Sequence, residues 1–194
     1  MLINSNTSSS IKDKNMELKI RILNDIVPSF VDYPDNESVS LCVVMMGCIH
    51  HCVNCQNPLF QNANYNEGTR VVTVSELKSE LIELCKRNRT NKIVLSGGDS
   101  LFPGNIDFTK ELINEMKDEY EYDFCIYTGY EIDYVKENNV KGFKFVKCGR
   151  YIDSQKRQSD KTDEKIIFAS PNQTLYNGDY ELLSENGVYY FNKN

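Results

Sequence analysis

The chain has no tryptophan, only two histidines, and no segment in which Lys and Arg gather. Acidic residues outnumber basic ones, 28 to 22, for a net charge of −6, so the electrostatic footprint of a nucleic-acid binder is missing. The first fifteen residues are Asn- and Ser-rich without an apolar core, which argues against a signal peptide or membrane span and predicts a flexible tail. No internal repeat is present, and no low-complexity segment occurs outside the tail. The seven cysteines do not suit a disulfide-stapled mini-protein, since at 194 residues the chain is not short. A reducing, cytoplasmic setting is expected, with Cys42, Cys85, Cys125 and Cys148 as buried thiols in or beside strands. A chain of this length can bury roughly 70% of the surface its unfolded form exposes.

What is present is concentrated in one stretch, Gly47-Cys48-Ile49-His50-His51-Cys52-Val53-Asn54-Cys55-Gln56. It follows an apolar run over residues 39–46 that reads as a buried strand. Three thiols spaced Cys-x3-Cys-x2-Cys can converge on a metal centre without help from distant chain. A cubane iron–sulfur cluster is normally held by four thiolates. Three would leave one iron open to a second molecule, as catalytic zinc sites keep an open position. The competing reading is structural zinc with His50 or His51 as fourth ligand, but no second Cys/His pair exists to complete it. Both histidines are therefore read as solvated loop residues.

The rest of the chain alternates strands and helices. Residues 16–23 alternate polar and apolar side chains, predicting a half-exposed strand. Pro28, Asp32, Pro34, Asp35 and Asn36 mark a loop, and residues 58–68 an irregular segment covering the site. Thr73-Val74-Ser75-Glu76 forms a capping box ahead of a helix that carries Leu77, Leu81, Ile82, Leu84 and Cys85 on one face. A strand over 92–95 runs into Ser96-Gly97-Gly98-Asp99, and a helix over about 107–120 follows. Further strands are predicted over 124–127 and 143–147, with a short helix over 131–138 between them. This order implies right-handed crossovers and a mainly parallel sheet with its sites beyond the carboxyl ends of the strands. The cysteine loop, the Gly-Gly-Asp turn and Thr128-Gly129 all fall at that edge. Residues 150–164 read as a mobile loop. Asn177-Gly178 and Asn186-Gly187 are hairpin signals that predict an antiparallel meander over about 166–192.

The cysteine spacing resembles the signature of the radical S-adenosylmethionine (SAM) superfamily. The resemblance implies that Cys48, Cys52 and Cys55 hold a 4Fe–4S cluster whose fourth iron is chelated by SAM. Gly97, Gly98 and Asp99 resemble the glycine-rich segment that orients the methionyl end. Thr128 and the backbone near Asn54 and Gln56 are the candidates for the nucleoside end. Asn54 stands where an aromatic residue often precedes the third cysteine. More narrowly, the chain is similar to the activating proteins of class III (anaerobic) ribonucleotide reductases. That similarity rests on Gly47-Cys48 to Asn57-Pro58, Ser96 to Asp99, Tyr127-Thr128-Gly129-Tyr130, Gly149-Arg150-Tyr151-Ile152 and Ser170-Pro171-Asn172-Gln173. Departures are Ser100 and Ala169, where that family usually has Pro and Gly, and Asp32-Tyr33-Pro34-Asp35 in place of Asp-Gly-Pro-Gly.

The fold implied is α/β, a partial, open βα-barrel-like sheet of the radical SAM type, too small to close an eight-stranded barrel of about 250 residues. It would form a single radical SAM domain over residues 16–194, with a C-terminal β extension over about 166–194. The implied activity is an oxidoreductase that cleaves SAM reductively and installs a glycyl radical on the anaerobic ribonucleoside-triphosphate reductase. An electron donor such as flavodoxin or ferredoxin is implied, with no nucleic acid or membrane partner. Two alternatives stay open: another radical SAM enzyme, either a different activase or a deazapurine synthase, and a non-catalytic zinc-binding interaction module.

Overall fold

A computed structural model describes residues 17–36, 39–117 and 121–191; the predicted tail lies outside them. Four strands run parallel in the centre: β3 (Ser40–Met45), β5 (Lys92–Gly97), β6 (Asp123–Tyr127) and β7 (Phe145–Cys148). Antiparallel strands extend both edges. On one side β1 (Lys19–Leu23) and β2 (Val27–Ser29) share the edge of β3, and β4 (Thr69–Thr73) pairs with β1. On the other side β10 (Thr174–Asn177) pairs with β7. The strand order is β10-β7-β6-β5-β3-β1-β4, a mixed sheet whose ends do not pair among the described residues.

Three helices connect the parallel strands: α1 (Val74–Asn88), α2 (Ile106–Lys117) and α3 (Ile132–Glu137). The capping box forms as its sequence predicts. Thr73 Oγ1 accepts from the Glu76 amide at 3.2 Å, and Glu76 Oε2 accepts from the Thr73 amide at 2.8 Å. Leu77, Leu81 and Cys85 of α1 and Phe108, Leu112, Ile113 and Met116 of α2 pack on the sheet together with Leu41, Val43, Ile93, Leu95, Phe124, Ile126 and Val146. No helix is long and apolar enough to cross a membrane among the described residues.

Three expectations are corrected. The predicted C-terminal meander is divided between two sheets: β10 completes the main sheet. By contrast β11 (Val188–Tyr190) pairs with β9 (Lys165–Ile167), which pairs with β8 (Asp160–Lys161). Both Asn-Gly pairs do turn the chain, and Asn186 (φ 47°) with Gly187 (φ 66°) makes the tight reversal between Glu185 and Val188. The turns were legible locally, but which strand each segment joins is set by partners far along the chain. Second, the segment 150–164 is built rather than loose. It contains a 3₁₀ turn (Asp153–Gln155) and β8, and Arg157 donates to the carbonyls of Phe168, Asn186 and Gly187. Third, strand β4 was not anticipated, although its β-branched Thr-Arg-Val-Val-Thr composition signals it.

Candidate metal centre

β3 delivers the chain to the carboxyl edge of the sheet, where the cysteine loop begins. The amides of Gly47 and Cys48 donate to the carbonyls of Phe60 and Gln61, at 2.8 and 3.0 Å, so the 3₁₀ turn Pro58–Gln61 props the loop from beneath. Cys48, Cys52 and Cys55 all line one cavity of about 190 Å³, with Ser96, Gly97 and Gly98 from the end of β5 facing them. The cysteine loop and the paired glycines are therefore on the same edge. All seven cysteines are free thiols.

The three cysteines are neither fully buried nor open. Burial pushes the Cys48 thiol up to about 11, against the pull of the His50 amide, which donates to its sulfur at 3.5 Å. Burial also raises Cys52, opposed by the amide of Tyr151. Amide donors already aimed at sulfur suit thiolate ligands, because metal binding replaces the thiol proton and leaves charge on sulfur.

The donor set fits an iron–sulfur cluster better than a single ion. Among the described residues, the possible ligand atoms of Cys48, His50 and Asp99 lie within 4.8 Å of one another. Yet His50 Nε2 lies 2.7 Å from Asp99 Oδ2, so these two are occupied with each other. The three cysteines all line the cavity, and a cubane takes one thiolate per iron.

Asp99 is buried and does not reach outward. Its carboxylate accepts from the Leu101 amide (2.7 Å), the Gly129 amide (2.8 Å), Thr128 Oγ1 (2.9 and 3.0 Å) and His50. It ties together the loops that follow β3, β5 and β6. Thr128, which lines the cavity, is held by this bond. His50 is not the solvated residue expected from sequence: its ring packs edge-on against Tyr130, centroids 4.6 Å apart. Gly97 (φ 115°) and Gly98 line the cavity, and both need to be glycine for a second reason. A Cβ at Gly97 would come within 2.4 Å of the Met45 carbonyl oxygen, and one at Gly98 within 2.4 Å of that of Phe60.

Asn54, in the left-handed region at φ 52°, donates its amide to Asp153 Oδ2 at 2.9 Å. Gln56 lines the cavity and also a second one of about 320 Å³, as do Tyr127, Lys147 and Ala169. Asn172 and Gln173 brace the far wall, donating to the carbonyls of Arg150 and Gly149. Lys147 escaped the sequence reading. It sits where the two cavities meet, its ammonium 4.8 Å from the Tyr127 ring centroid and 5.4 Å from that of Phe168. Burial lowers it to about 8. The signal was available, since Phe145-Val146-Lys147-Cys148 alternates, placing Lys147 on the face opposite Val146.

A cavity walled by three thiols at the carboxyl edge of a parallel sheet defines an iron–sulfur protein, and the comparisons agree. Residues 36–176 match the 4Fe-4S single cluster domain family, and the chain belongs to that family. Its relatives include the anaerobic ribonucleoside-triphosphate reductase-activating protein of Enterobacteria phage T4, 26% identical over 146 residues, which are 75% of this chain and 88% of that protein. The protein of the same name from Escherichia coli K12 is 25% identical over 148 residues, 75% of this chain and 93% of its own. That of Vibrio cholerae is 24% identical over 131 residues, covering 64% and 82%.

Proposed function

We propose that this protein is a radical SAM activase that generates a glycyl radical on an anaerobic ribonucleoside-triphosphate reductase. The observation that carries the reading is the shared cavity of Cys48, Cys52 and Cys55, faced by Gly97 and Gly98. The names of the relatives support the choice of partner. The chemistry supplied by a bound cluster and SAM is reductive cleavage of the sulfonium and hydrogen abstraction from a glycine Cα by the resulting carbon radical.

The chain's own residues would bind and orient. The three cysteines hold the cluster, and the amides of His50 and Tyr151 stabilise two of the sulfurs as thiolates. Gly97 and Gly98 present backbone to the methionyl end, while Asp99 positions their turn against Thr128 and Gly129 rather than touching the ligand. Gln56 and Thr128, on the cavity wall, and Asn54, bonded to Asp153, would serve the nucleoside end. The second cavity, which shares Gln56, Tyr127, Lys147 and Ala169 with the first, would be the approach for a target glycine. An electron donor of the flavodoxin or ferredoxin kind and a cytoplasmic setting complete the reading.

The test is anaerobic reconstitution followed by incubation with an anaerobic reductase, SAM and a reductant. Brown protein containing iron and sulfide, with a SAM-dependent glycyl radical signal in the reductase by electron paramagnetic resonance, is the expected result. Colourless, zinc-loaded protein would overturn it in favour of an interaction module. A cluster with SAM turnover that never depends on the reductase would redirect it to another radical SAM enzyme.

A further inference from the structure

The cysteine cavity carries three aromatic rings on its wall, those of His50, Tyr127 and Tyr151. Two are already in use. The His50 ring is bonded to Asp99 and packs on Tyr130. The Tyr127 ring has the Lys147 ammonium over it, and its hydroxyl donates to the Asp32 carbonyl at 2.5 Å. Tyr151 differs. Among the described residues no aromatic or cationic group stacks on its ring, although its two ends are fixed. The backbone amide donates to Cys52 Sγ, and the hydroxyl donates to Asp153 Oδ1 at 2.9 Å. The other carboxylate oxygen, Asp153 Oδ2, accepts from Asn54 Nδ2, also at 2.9 Å. A relay of Asn54, Asp153 and Tyr151 therefore latches the 3₁₀ turn after β7 onto the cysteine loop, with the Tyr151 amide on Cys52.

We infer that Tyr151 is the stacking platform for the adenine ring of the nucleoside cofactor, and that Asn54 and Asp153 are positioning residues that hold it. The inference rests on the proposed function, because it takes SAM as the ligand. Physically, a tethered ring on a cavity wall with no aromatic or cationic partner of its own is a place for another flat ring. Fixing its hydroxyl in advance lowers the conformational entropy lost on binding. Asn54 contributes through its amide, which Asp153 needs in order to hold the tyrosine. A clamp that served only the loop would need the carboxylate but not the aromatic ring.

The experiment titrates cluster-loaded protein anaerobically with SAM and, separately, with methionine, by calorimetry. Tyr151→Leu is expected to weaken SAM by about tenfold, the scale of one base–aromatic stack, while leaving methionine unchanged. Tyr151→Phe keeps the ring but loses the Asp153 bond, so it and Asp153→Ala both fall between wild type and Tyr151→Leu. Equal SAM affinity in Tyr151→Leu and wild type overturns the platform, as does an equal loss for SAM and methionine. Should Tyr151→Leu fail to retain its cluster, Tyr151→Trp decides. It places a single indole in a chain that has none, and its emission should respond to SAM or S-adenosylhomocysteine but not to methionine. A silent indole overturns the proposal. Wild-type protein that holds its cluster but binds neither compound marks failure of the functional reading itself, and the platform falls with it.

Discussion

The parallel sheet has two faces that alternate residue by residue along the same strands, and they are chemically unlike. On the helix side β3, β5, β6 and β7 present Leu41, Val43, Met45, Ile93, Leu95, Phe124, Ile126, Val146 and Cys148, almost purely apolar and fully covered. On the other side the intervening positions present Cys42, Val44, Val94, Cys125, Tyr127, Phe145 and Lys147, with Tyr33 packed among them. Burial raises the Cys42 thiol to about 12 and lowers Lys147 to about 8. One face is built to exclude water and hold the fold. The other keeps ionisable groups under a cavity, a costly arrangement that suits a ligand better than a core.

Substitutions at the carboxyl edge and on each face sharpen this division. The largest effect is expected from Cys48→Ala, which removes one of three thiols and should abolish cluster assembly; iron and sulfide content after anaerobic reconstitution measures it, and unchanged iron would count against the metal centre. Asp99→Ala strands the amides of Leu101 and Gly129 without their acceptor and releases His50 and Thr128, so chemical denaturation should show a loss of about 3–5 kcal/mol. On the apolar face, Leu95→Ala should cost about 3 kcal/mol through lost burial and the cavity left behind. Its iron stoichiometry should match wild type; a matching loss of iron would show that the faces are not separable.

Lys147→Met tests the opposite face and should stabilise the cluster-free protein. An unfolded lysine titrates near 10.5 and the folded one near 8, so between those values the unfolded chain holds more protons and stability rises with pH. The penalty is fully present below pH 8. At pH 7 the substitution should therefore add about 1–2 kcal/mol, allowing for solvent in the cavity, and the gain should shrink towards pH 10. Denaturation curves at pH 7 and pH 9.5 compare the two. The smallest effect is expected from Thr73→Ala, which removes the cap of α1 and should cost about 1 kcal/mol with no change in iron binding.

How much of this was legible in the sequence follows sequence separation. The capping box, the two Asn-Gly reversals and the cysteine loop are defined by residues within a few positions of one another, and each was readable. The strand–helix alternation is enough to put the cysteine loop, Gly97-Gly98 and Thr128 on one edge of the sheet. Asp99 was singled out for a ligand, but its partners come from 29 and 49 residues away and turn it into a buried hub. His50 lost its expected solvation to Tyr130, 80 positions along the chain. The segment 150–164 looked mobile because it is polar and aperiodic, yet Asn54, 99 residues from Asp153, and the carbonyls near Gly187 give it order.

The amino-acid sequence by itself determined that a loop of three closely spaced cysteines exists, that it follows a buried strand, and that a glycine turn follows the next. Local spacing and periodicity suffice there, because short-range geometry is dictated by neighbouring residues. Tertiary structure alone decided which face of each strand holds ionisable groups, which aromatic residues line the cysteine cavity, and which sheet each C-terminal segment joins. Those outcomes depend on hydrogen bonds and packing between residues tens of positions apart, whose approach is settled only when the whole sheet has assembled.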